Sequence, residues 1–273
     1  MRSIKDSYRN FLNTKRGINS YHAFKNILYS CQDSLVQTIN NDILQHIELV
    51  KKGSLAICDI GGGDGKRISK ILNYLHSKFQ LYFQLDLIEQ SKLYTSAFDY
   101  ACIAECAEVN VFCGLFEEFR PNKRYDIVFL LHSIFAFENG ESLNRVLSLS
   151  DKKGLILIAS NSPNSFLAGL KYLVDSDFED RRYEINELKE DLSKKQVSYE
   201  ELTFQTRWSI PETNYDTCIG NILEWISLGS YESFNKTKKR AIFNYIETQT
   251  TYSENRWFFA ESETVILIPS IEN

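Results

Sequence analysis

The stretch Leu55-Ala-Ile-Cys-Asp-Ile-Gly-Gly-Gly-Asp-Gly65 decides the fold class of this chain. It begins as an apolar run of strand length and ends as a turn that is rich in glycine. Residues 66–75 then carry apolar side chains at helical spacing. A glycine-rich turn between a strand and a helix is where a parallel α/β sheet holds a ligand, because glycine allows a tight turn and a close approach of the ligand.

The same alternation continues along the chain and predicts a doubly wound, mostly parallel α/β sheet. Strand-like runs cover seven segments, which are 55–60, 81–88, 109–113, 125–131, 154–160, 197–210 and 256–268. Helix-like segments are 66–75, 91–106, 141–149, 178–195, 215–229 and 236–248. Strands that alternate with helices imply parallel pairing, because each crossover between parallel strands needs a long connection. We therefore predict a seven-stranded sheet with helices packed against it.

Two regions extend this core. Apolar residues from 18 to 50 recur at helical spacing, which predicts an N-terminal helical cap over residues 1–50. Residues 51–273 are predicted to form the α/β domain. Within that domain, about 162–255 is a C-terminal elaboration that we expect to bind a substrate.

Composition disfavours several classes of protein. The chain has 273 residues, with 31 Lys and Arg against 36 Asp and Glu and a net charge of −5. Nucleic-acid binders usually carry a basic surplus, so we expect no nucleic-acid partner. The sequence has no run near the roughly 20 apolar residues of a membrane span, and its polar start does not resemble a secretory signal. The six cysteines form no CxxC pair, so we expect a cytoplasmic protein without a metal site.

The spacing of the glycines narrows the choice of ligand. A phosphate-binding P-loop ends in Gly-Lys-Ser or Gly-Lys-Thr, but here Lys66 is followed by Arg67. In a dinucleotide loop the last glycine would come one position after Gly65. A GxGxG turn that follows Asp59, with Glu89 at the end of the next strand, instead suits S-adenosylmethionine. Glu89 could accept hydrogen bonds from both ribose hydroxyls of that cofactor. Asp86 is the alternative for this role, although it lies in the middle of the strand.

The segment after the third strand is placed to contact an adenine ring. Leu115 and Phe116 follow Gly114 there, and either contact with adenine or ordinary core packing would explain them. The carboxylate of Asp59 would favour the ammonium group of the amino-acid tail of the cofactor.

The chain resembles class I S-adenosylmethionine-dependent methyltransferases and, more narrowly, the histamine N-methyltransferase group. The resemblance rests on Tyr8-Arg-Asn-Phe-Leu-Asn13, on Asp59-Ile-Gly-Gly-Gly-Asp-Gly65, on Leu87-Ile-Glu-Gln-Ser91, on Tyr125-Asp-Ile-Val-Phe-Leu-Leu-His132 and on the final strand from Trp257 to Ile268. It implies a Rossmann-like methyltransferase fold and an enzyme that methylates a small molecule. It also implies that Gly61, Glu89 and Leu131 contact the cofactor. The predicted cofactor-binding residues are Asp59, Gly61, Gly62, Gly63, Gly65, Glu89, Gln90, Leu115, Phe116 and Leu131.

Two positions depart from the histamine-specific pattern. Gly17 stands where that group has a glutamate that grips the substrate amine, and about Glu261 stands where it has an asparagine that faces the amine. Glu261 is therefore the residue that we expect to supply negative charge to a cationic acceptor.

His132 is the candidate catalytic residue. The resemblance places it where a glutamine lies between cofactor and substrate, and the ordinary histidine pKa near 6.5 suits a general base. A base and a residue that only positions the substrate remain equal alternatives. The predicted acceptor pocket comprises Phe135, Phe137, Asn161, Trp208, Trp225 and Glu261, with Trp257 as a further aromatic candidate.

The sequence thus predicts methyl transfer from S-adenosylmethionine to a small-molecule acceptor, with an amine nitrogen as the first choice. The alternatives are methylation of oxygen or carbon on a small aromatic metabolite or a short peptide, a non-catalytic cofactor-binding subunit, and an NAD enzyme, which the glycine spacing disfavours. The sequence leaves the oligomeric state open.

Overall fold

The computed structural model describes residues 4–45, 53–137, 140–176 and 182–269. Its helices are α1 (Ile4–Leu12), α2 (Lys15–Gln45), α3 (Lys66–Phe79), α4 (Lys92–Thr95), α5 (Gly140–Leu149), α6 (Phe166–Asp175), α7 (Ile185–Lys194), α8 (Tyr215–Ile226) and α9 (Lys236–Thr248). Its strands are β1 (Ser54–Ile60), β2 (Tyr82–Glu89), β3 (Ala107–Cys113), β4 (Tyr125–Leu131), β5 (Ser150–Asn161), β6 (Glu200–Pro211), β7 (Thr250–Ser253) and β8 (Arg256–Pro269).

The strands form one sheet in the order β3-β2-β1-β4-β5-β8-β6, and β7 pairs with β8. The pairs β1–β2, β1–β4, β2–β3 and β4–β5 are all parallel. The predicted doubly wound, mostly parallel sheet is therefore confirmed. The short strand β7, which pairs with β8 in antiparallel fashion, adds an eighth strand that the sequence did not predict.

Strand order places β1 and β4 beside each other in the middle of the sheet, where the order of connection changes direction. Every residue of β4 is buried, as expected for a central strand that is covered on both faces. In an open parallel sheet, ligands bind beyond the carboxyl ends of the strands at such a switch point. The turn that follows β1 lies at this position.

The predicted helix over residues 91–106 is wrong. The structure has only the single turn α4 and, after it, a separate 3₁₀ turn from Tyr100 to Ile103. The side chain of Asp99 accepts a hydrogen bond from the Ala101 N–H at 3.1 Å and so begins the second turn. Just before it, Phe98 is buried against Gly65. This tertiary contact and this cap divide a segment whose spacing alone predicts one helix.

Other boundaries shift for local reasons. The helix that was predicted over 178–195 begins at Ile185 after a capping box formed by Glu184 and Glu187, and residues 178–181 lie outside the described part. The helix predicted to end at Gly229 ends at Ile226, because Leu228 and Gly229 take left-handed φ values of 52° and 79°. The segment predicted as a helical cap contains the helices α1 and α2, and residues 1–3 and 46–50 of it lie outside the described part.

The chain divides into two compact units. Unit 1 comprises residues 1–34, 161–182 and 203–263, and unit 2 comprises residues 35–160, 183–202 and 264–273. Unit 2 holds β1 to β4 and a core that includes Cys58, Val128, Ile158 and Leu188. Unit 1 holds α6, α8 and α9 and is rich in ring contacts, for example between Trp208 and Phe259. Among the described residues, none of the helices is long and apolar enough to cross a membrane.

Candidate functional site

The glycine loop, Gly61–Gly65, directly follows β1 and directly precedes α3. Gly61, Gly63 and Gly65 have φ values of 73°, 61° and 72°, a left-handed conformation that strains residues with a Cβ. The N–H groups of Gly61 and Gly62 donate to the carbonyl of Ile88 at 2.8 and 3.2 Å. The loop is therefore anchored to the end of the neighbouring strand β2.

Close contacts also explain why the loop needs glycine. A Cβ on Gly61 would lie 2.4 Å from Cβ of Ser133, and one on Gly65 would lie 2.1 Å from Cε2 of Phe98. A Cβ on Gly62 would lie 2.6 Å from Oδ2 of Asp59. All three distances are shorter than a normal contact between non-bonded atoms. The side chains of Ser133, Phe98 and Asp59 therefore pack directly against the main chain of the loop.

Glu89 ends β2 next to this loop, and only 6% of it is exposed. Its Oε2 accepts a hydrogen bond from the N–H of Gly63 at 3.1 Å, and its Oε1 accepts one from the N–H of Ser91 at 2.8 Å. The structure thus fixes the orientation of an acceptor group at the carboxyl edge of the sheet.

Asp86, the alternative to Glu89, is used inside the sheet. Its Oδ1 accepts from Nδ2 of Asn110 at 3.0 Å, and its Oδ2 accepts from the hydroxyl of Tyr125 at 2.6 Å. Nζ of Lys123 lies 3.0 Å from the same Oδ2. Burial, and then the hydrogen bond to Asp86, raise the pKa of Tyr125 well above its ordinary value. These contacts engage both carboxylate oxygens of Asp86 inside the sheet.

The carboxyl end of β4 carries Leu131 and His132. His132 is half-buried and has a left-handed φ of 60°, and its N–H donates to the carbonyl of Ala159 at 2.7 Å. Nη1 of Arg67 donates to the carbonyl of Leu131 at 3.0 Å, and Oγ of Ser133 donates to the carbonyl of Ile60 at 2.6 Å. These bonds tie the end of β4 to the end of β1 and to the start of α3.

Sequence reasoning missed three residues that shape this edge, namely Arg67, Ser91 and Ser133. Their positions in or beside the quoted motifs were the only signal. Arg67 and Ser133 each donate from the side chain to a main-chain carbonyl, and Ser91 donates its main-chain N–H to the carboxylate of Glu89. Arg67 follows the glycine loop, Ser91 follows Glu89, and Ser133 follows His132.

The other cofactor candidates lie in unit 2 as well. Asp59 is buried at the end of β1, and Gln90 and Leu115 are half-buried. Phe116 is 8% exposed, and its ring stacks on that of Phe137 with centroids 6.1 Å apart. Phe135 is half-buried in the turn after His132.

Asn161 and Glu261, two of the substrate candidates, meet in unit 1. Oε1 of Glu261 accepts from Nδ2 of Asn161 at 3.5 Å, and Oε2 accepts from the N–H of Leu167 at 3.0 Å, in the first turn of α6. Nζ of Lys171 donates to Oδ1 of Asn161 at 3.0 Å. Burial raises the pKa of Glu261 to about 7, while its hydrogen bonds with Ser165 and Leu167 oppose that rise. This carboxyl group therefore holds the beginning of a helix.

The tryptophans of unit 1 lie in aromatic clusters. Trp208 is 1% exposed and stacks on Phe259 with centroids 4.6 Å apart. The ring of Trp225 lies 4.6 Å from that of Tyr21, and Tyr8, Phe11 and Phe24 also contact it. Trp257 is half-buried beside Tyr215 and Tyr252. Trp208 thus has the contacts of a core residue.

Gly17, where the histamine-specific glutamate is missing, leaves no room for a side chain. A Cβ at this position would lie 2.0 Å from the carbonyl oxygen of Phe11. Among the described residues, no group of three His, Cys, Asp or Glu side chains could hold a metal ion.

Two solved structures share the fold of this chain at low sequence identity. The YcgJ protein from Bacillus subtilis matches with a TM-score of 0.55 and 17% identity over 84% of this chain and 97% of its own. A putative methyltransferase from Bacillus halodurans matches with a TM-score of 0.54 and 14% identity over 85% of this chain and 100% of its own. No protein-family model and no curated protein matches the chain. The chain therefore has the same Rossmann-like fold as the putative methyltransferase from Bacillus halodurans.

Proposed function

We propose that this chain is an S-adenosylmethionine-dependent methyltransferase that acts on a small molecule, with an amine nitrogen as the acceptor. The observation that carries the proposal is the carboxylate of Glu89. It ends β2, beside the glycine loop that follows β1 at the switch point of the sheet, and the N–H groups of Gly63 and Ser91 fix its direction. A fixed carboxylate beside a glycine loop suits a ligand with a pair of ribose hydroxyls and a flexible charged tail.

The residues of this edge fit the cofactor by their chemistry. The carboxylate of Glu89 could accept hydrogen bonds from the ribose hydroxyls. The left-handed φ values of Gly61, Gly63 and Gly65 give the loop the tight turn that brings its main chain to this edge, and the buried carboxyl groups of Asp59 and Asp64 favour a nearby ammonium group. Leu115 and Phe116 supply an apolar contact for adenine, and Gln90 and Leu131 complete the set.

When bound, the sulfonium of this cofactor supplies a methyl carbon that is open to in-line attack. The leaving thioether is neutral, so this chain needs no oxyanion hole. Its residues instead hold the acceptor nitrogen in line and exclude water, which is catalysis by proximity. An acceptor that arrives protonated must first lose its proton, and a base then contributes.

His132 is the residue that we propose for this proton. Its left-handed φ of 60° costs about 1–2 kcal/mol in a residue with a Cβ, and such strain is concentrated at functional sites. A nitrogen of its imidazole ring would receive the proton from the acceptor nitrogen. Replacement of His132 by Gln is expected to lower kcat about 10²-fold or more and to remove the acidic limb of the pH profile of kcat. A rise in KM alone, with that limb intact, would make His132 a positioning residue.

The choice of an amine rests on the resemblance to the histamine N-methyltransferase group and on Glu261. Gly17 removes the amine-gripping glutamate of that group, so histamine itself is a poor candidate. Glu261 and Asn161 are the remaining polar candidates for the acceptor pocket, together with Phe135, Phe137, Trp208 and Trp225. Asn161, Trp208, Trp225 and Glu261 lie in or beside the elaboration at about 162–255, which agrees with a substrate-binding role for that region. Cytoplasmic location and the absence of a nucleic-acid partner belong to the same proposal.

Calorimetric titration with S-adenosylmethionine and S-adenosylhomocysteine tests the cofactor. We expect both ligands to bind, with no competition from NAD. Displacement by NAD, or no binding of either ligand, would contradict the proposal.

The acceptor is tested with methyl-labelled cofactor, a panel of amines and an extract of the source cells, followed by mass spectrometry. A labelled amine supports the proposal. A label on oxygen or carbon would show that the acceptor atom is not an amine nitrogen. Tight binding of S-adenosylhomocysteine without any labelled product would show that the chain is a non-catalytic cofactor-binding subunit.

A further inference from the structure

A basic groove of about 600 Å³ lies in unit 2, away from the glycine loop. Its walls are the segment that precedes β4 and the last turns of α5, which precede β5. Both segments lie toward the amino ends of parallel strands, whereas the glycine loop follows a carboxyl end. The groove is therefore a separate feature from the site proposed for the cofactor.

Positive charge dominates this groove. Among the described residues that line it, Arg120, Lys123, Arg124 and Arg145 are cationic, and none is acidic. The side chains of Phe119 and Leu149 are buried and form an apolar floor. Such a concentration of cations contrasts with the net charge of −5 of the whole chain.

The three guanidinium groups are held by main-chain carbonyls. Nη1 of Arg145 donates to the carbonyl of Glu117 at 2.7 Å, and Nη1 of Arg120 donates to the same carbonyl and to that of Phe119. Nη1 of Arg124 donates to the carbonyls of Ser148 and Ser150. A guanidinium has five N–H donors, so each group is oriented and still has donors for a ligand.

These guanidinium charges are poorly compensated. Arg120 and Arg145 converge on one carbonyl oxygen, so two like charges lie close together. Burial, and then the charge of Arg120, lower the pKa of Arg145, and the carboxylate of Glu117 only partly opposes this. In the described part of the chain, the ion pair in this groove is between Lys123 and Asp86. An anion between Arg120 and Arg145 would relieve their repulsion.

We propose that this groove binds a small ligand that carries two or more adjacent phosphate groups. Guanidinium groups match the geometry of phosphate oxygens and form strong charge-assisted hydrogen bonds with them. Arg120 and Arg145 would hold one phosphate, and Arg124 with Lys123 would hold the next. The volume is that of a small-molecule site, and the apolar floor gives the organic part of such a ligand a surface to pack on.

The test uses the full chain and inorganic tripolyphosphate as the probe, titrated by calorimetry at a constant ionic strength of about 0.15 M, where long-range charge effects are screened. Two variants probe the groove, Arg120→Gln/Arg145→Gln and Arg124→Gln. The matched control is Lys236→Gln/Arg240→Gln, which removes two exposed charges from α9 in unit 1. Circular dichroism and thermal melting check that every variant is folded.

We expect the Kd of tripolyphosphate to rise about tenfold or more in each groove variant, since each loses charge-assisted bonds, and to stay unchanged in the control. Equal weakening in the control, or no binding by the natural chain at millimolar concentration, would overturn the proposal. Binding of a short RNA but not of tripolyphosphate would also overturn it. The titration with S-adenosylhomocysteine is independent, so failure of this proposal and failure of the proposed methyl transfer are distinguishable.

Discussion

Two buried glutamates, Glu89 in unit 2 and Glu261 in unit 1, are used by the molecule in different ways. They are 6% and 2% exposed, and each accepts hydrogen bonds from main-chain N–H groups. Glu89 ends its strand and accepts these bonds from two turns, at Gly63 and Ser91. Glu261 lies inside the long strand β8 and accepts a bond from Leu167 in the first turn of α6.

The difference teaches that the place of a carboxyl group in the fold decides its use. A carboxylate at the end of a parallel strand lies on the edge where ligands bind, so hydrogen bonds that orient it also prepare it for a ligand. A carboxyl group in mid-strand that bonds to the first turn of a helix satisfies backbone donors that would otherwise be unpaired. Burial at this position raises the pKa of Glu261 to about 7, because a buried carboxyl group is less stable in its charged form.

The largest effect is expected for Glu89→Gln. The amide is nearly isosteric but has lost the charge and one acceptor oxygen. We expect the affinity for S-adenosylhomocysteine to fall about 10³-fold, because hydrogen bonds to a charged acceptor are the strong ones. Calorimetry measures the affinity, and urea denaturation measures the change in stability. An unchanged affinity would show that Glu89 serves the fold and does not bind the cofactor.

Glu261→Gln should instead change how stability depends on pH. The folded chain holds the proton of Glu261 with a pKa of about 7, against an ordinary value of 4.5. The folded state therefore binds more protons than the unfolded state between these values, and the free energy of unfolding falls as pH rises through this range. Glutamine does not titrate, so the variant should gain about 2–3 kcal/mol relative to the natural chain between pH 5 and pH 8.

Urea denaturation of both proteins at pH 5 and pH 8 gives this difference. The same stability difference at the two pH values would contradict the account of Glu261. If the affinity for S-adenosylhomocysteine stays constant in Glu261→Gln, the contrast with Glu89 is sharpened.

A smaller effect is expected for Gly61→Ala in the loop beside Glu89. The new Cβ would lie 2.4 Å from Cβ of Ser133, at a φ of 73°. We expect the free energy of unfolding to fall by about 2 kcal/mol, from backbone strain and local overpacking, with weaker binding of S-adenosylhomocysteine. Full stability in the variant would mean that the close packing of this loop is not required.

Gly220→Ala is the matched control for Gly61→Ala, and we expect it to have the smallest effect. Gly220 lies within α8, and a Cβ there would meet nothing within 4 Å. Alanine is a better helix former than glycine by about 1 kcal/mol, so the free energy of unfolding should rise by up to that amount. Denaturation curves measure it, and a loss of stability would show that α8 is packed differently from the structure described.

Much of the sheet could be predicted from the sequence, because its signals are local. The run from Leu55 to Ile60 and the following glycines predict a strand and a turn without any tertiary information. The segment 91–106 was misread because Phe98 packs on Gly65, a contact between residues that are far apart in the sequence. Spacing reports how side chains repeat along a segment and carries no information on which distant residue they meet.

The same distinction between local and tertiary information applies to the candidate site. The sequence by itself determined that a glycine turn follows a buried strand and that acidic residues stand near the next strand end, because composition and order fix backbone freedom and charge. Only the tertiary structure decided which groups bond to these acidic side chains. The carboxylate of Asp86 bonds to Asn110, Lys123 and Tyr125. The N–H groups of Gly63 and Ser91 orient Glu89, and Asn161 donates to Glu261. Burial and hydrogen bonding depend on which groups come together in space, and folding brings together residues such as Asn161 and Glu261, which are 100 positions apart.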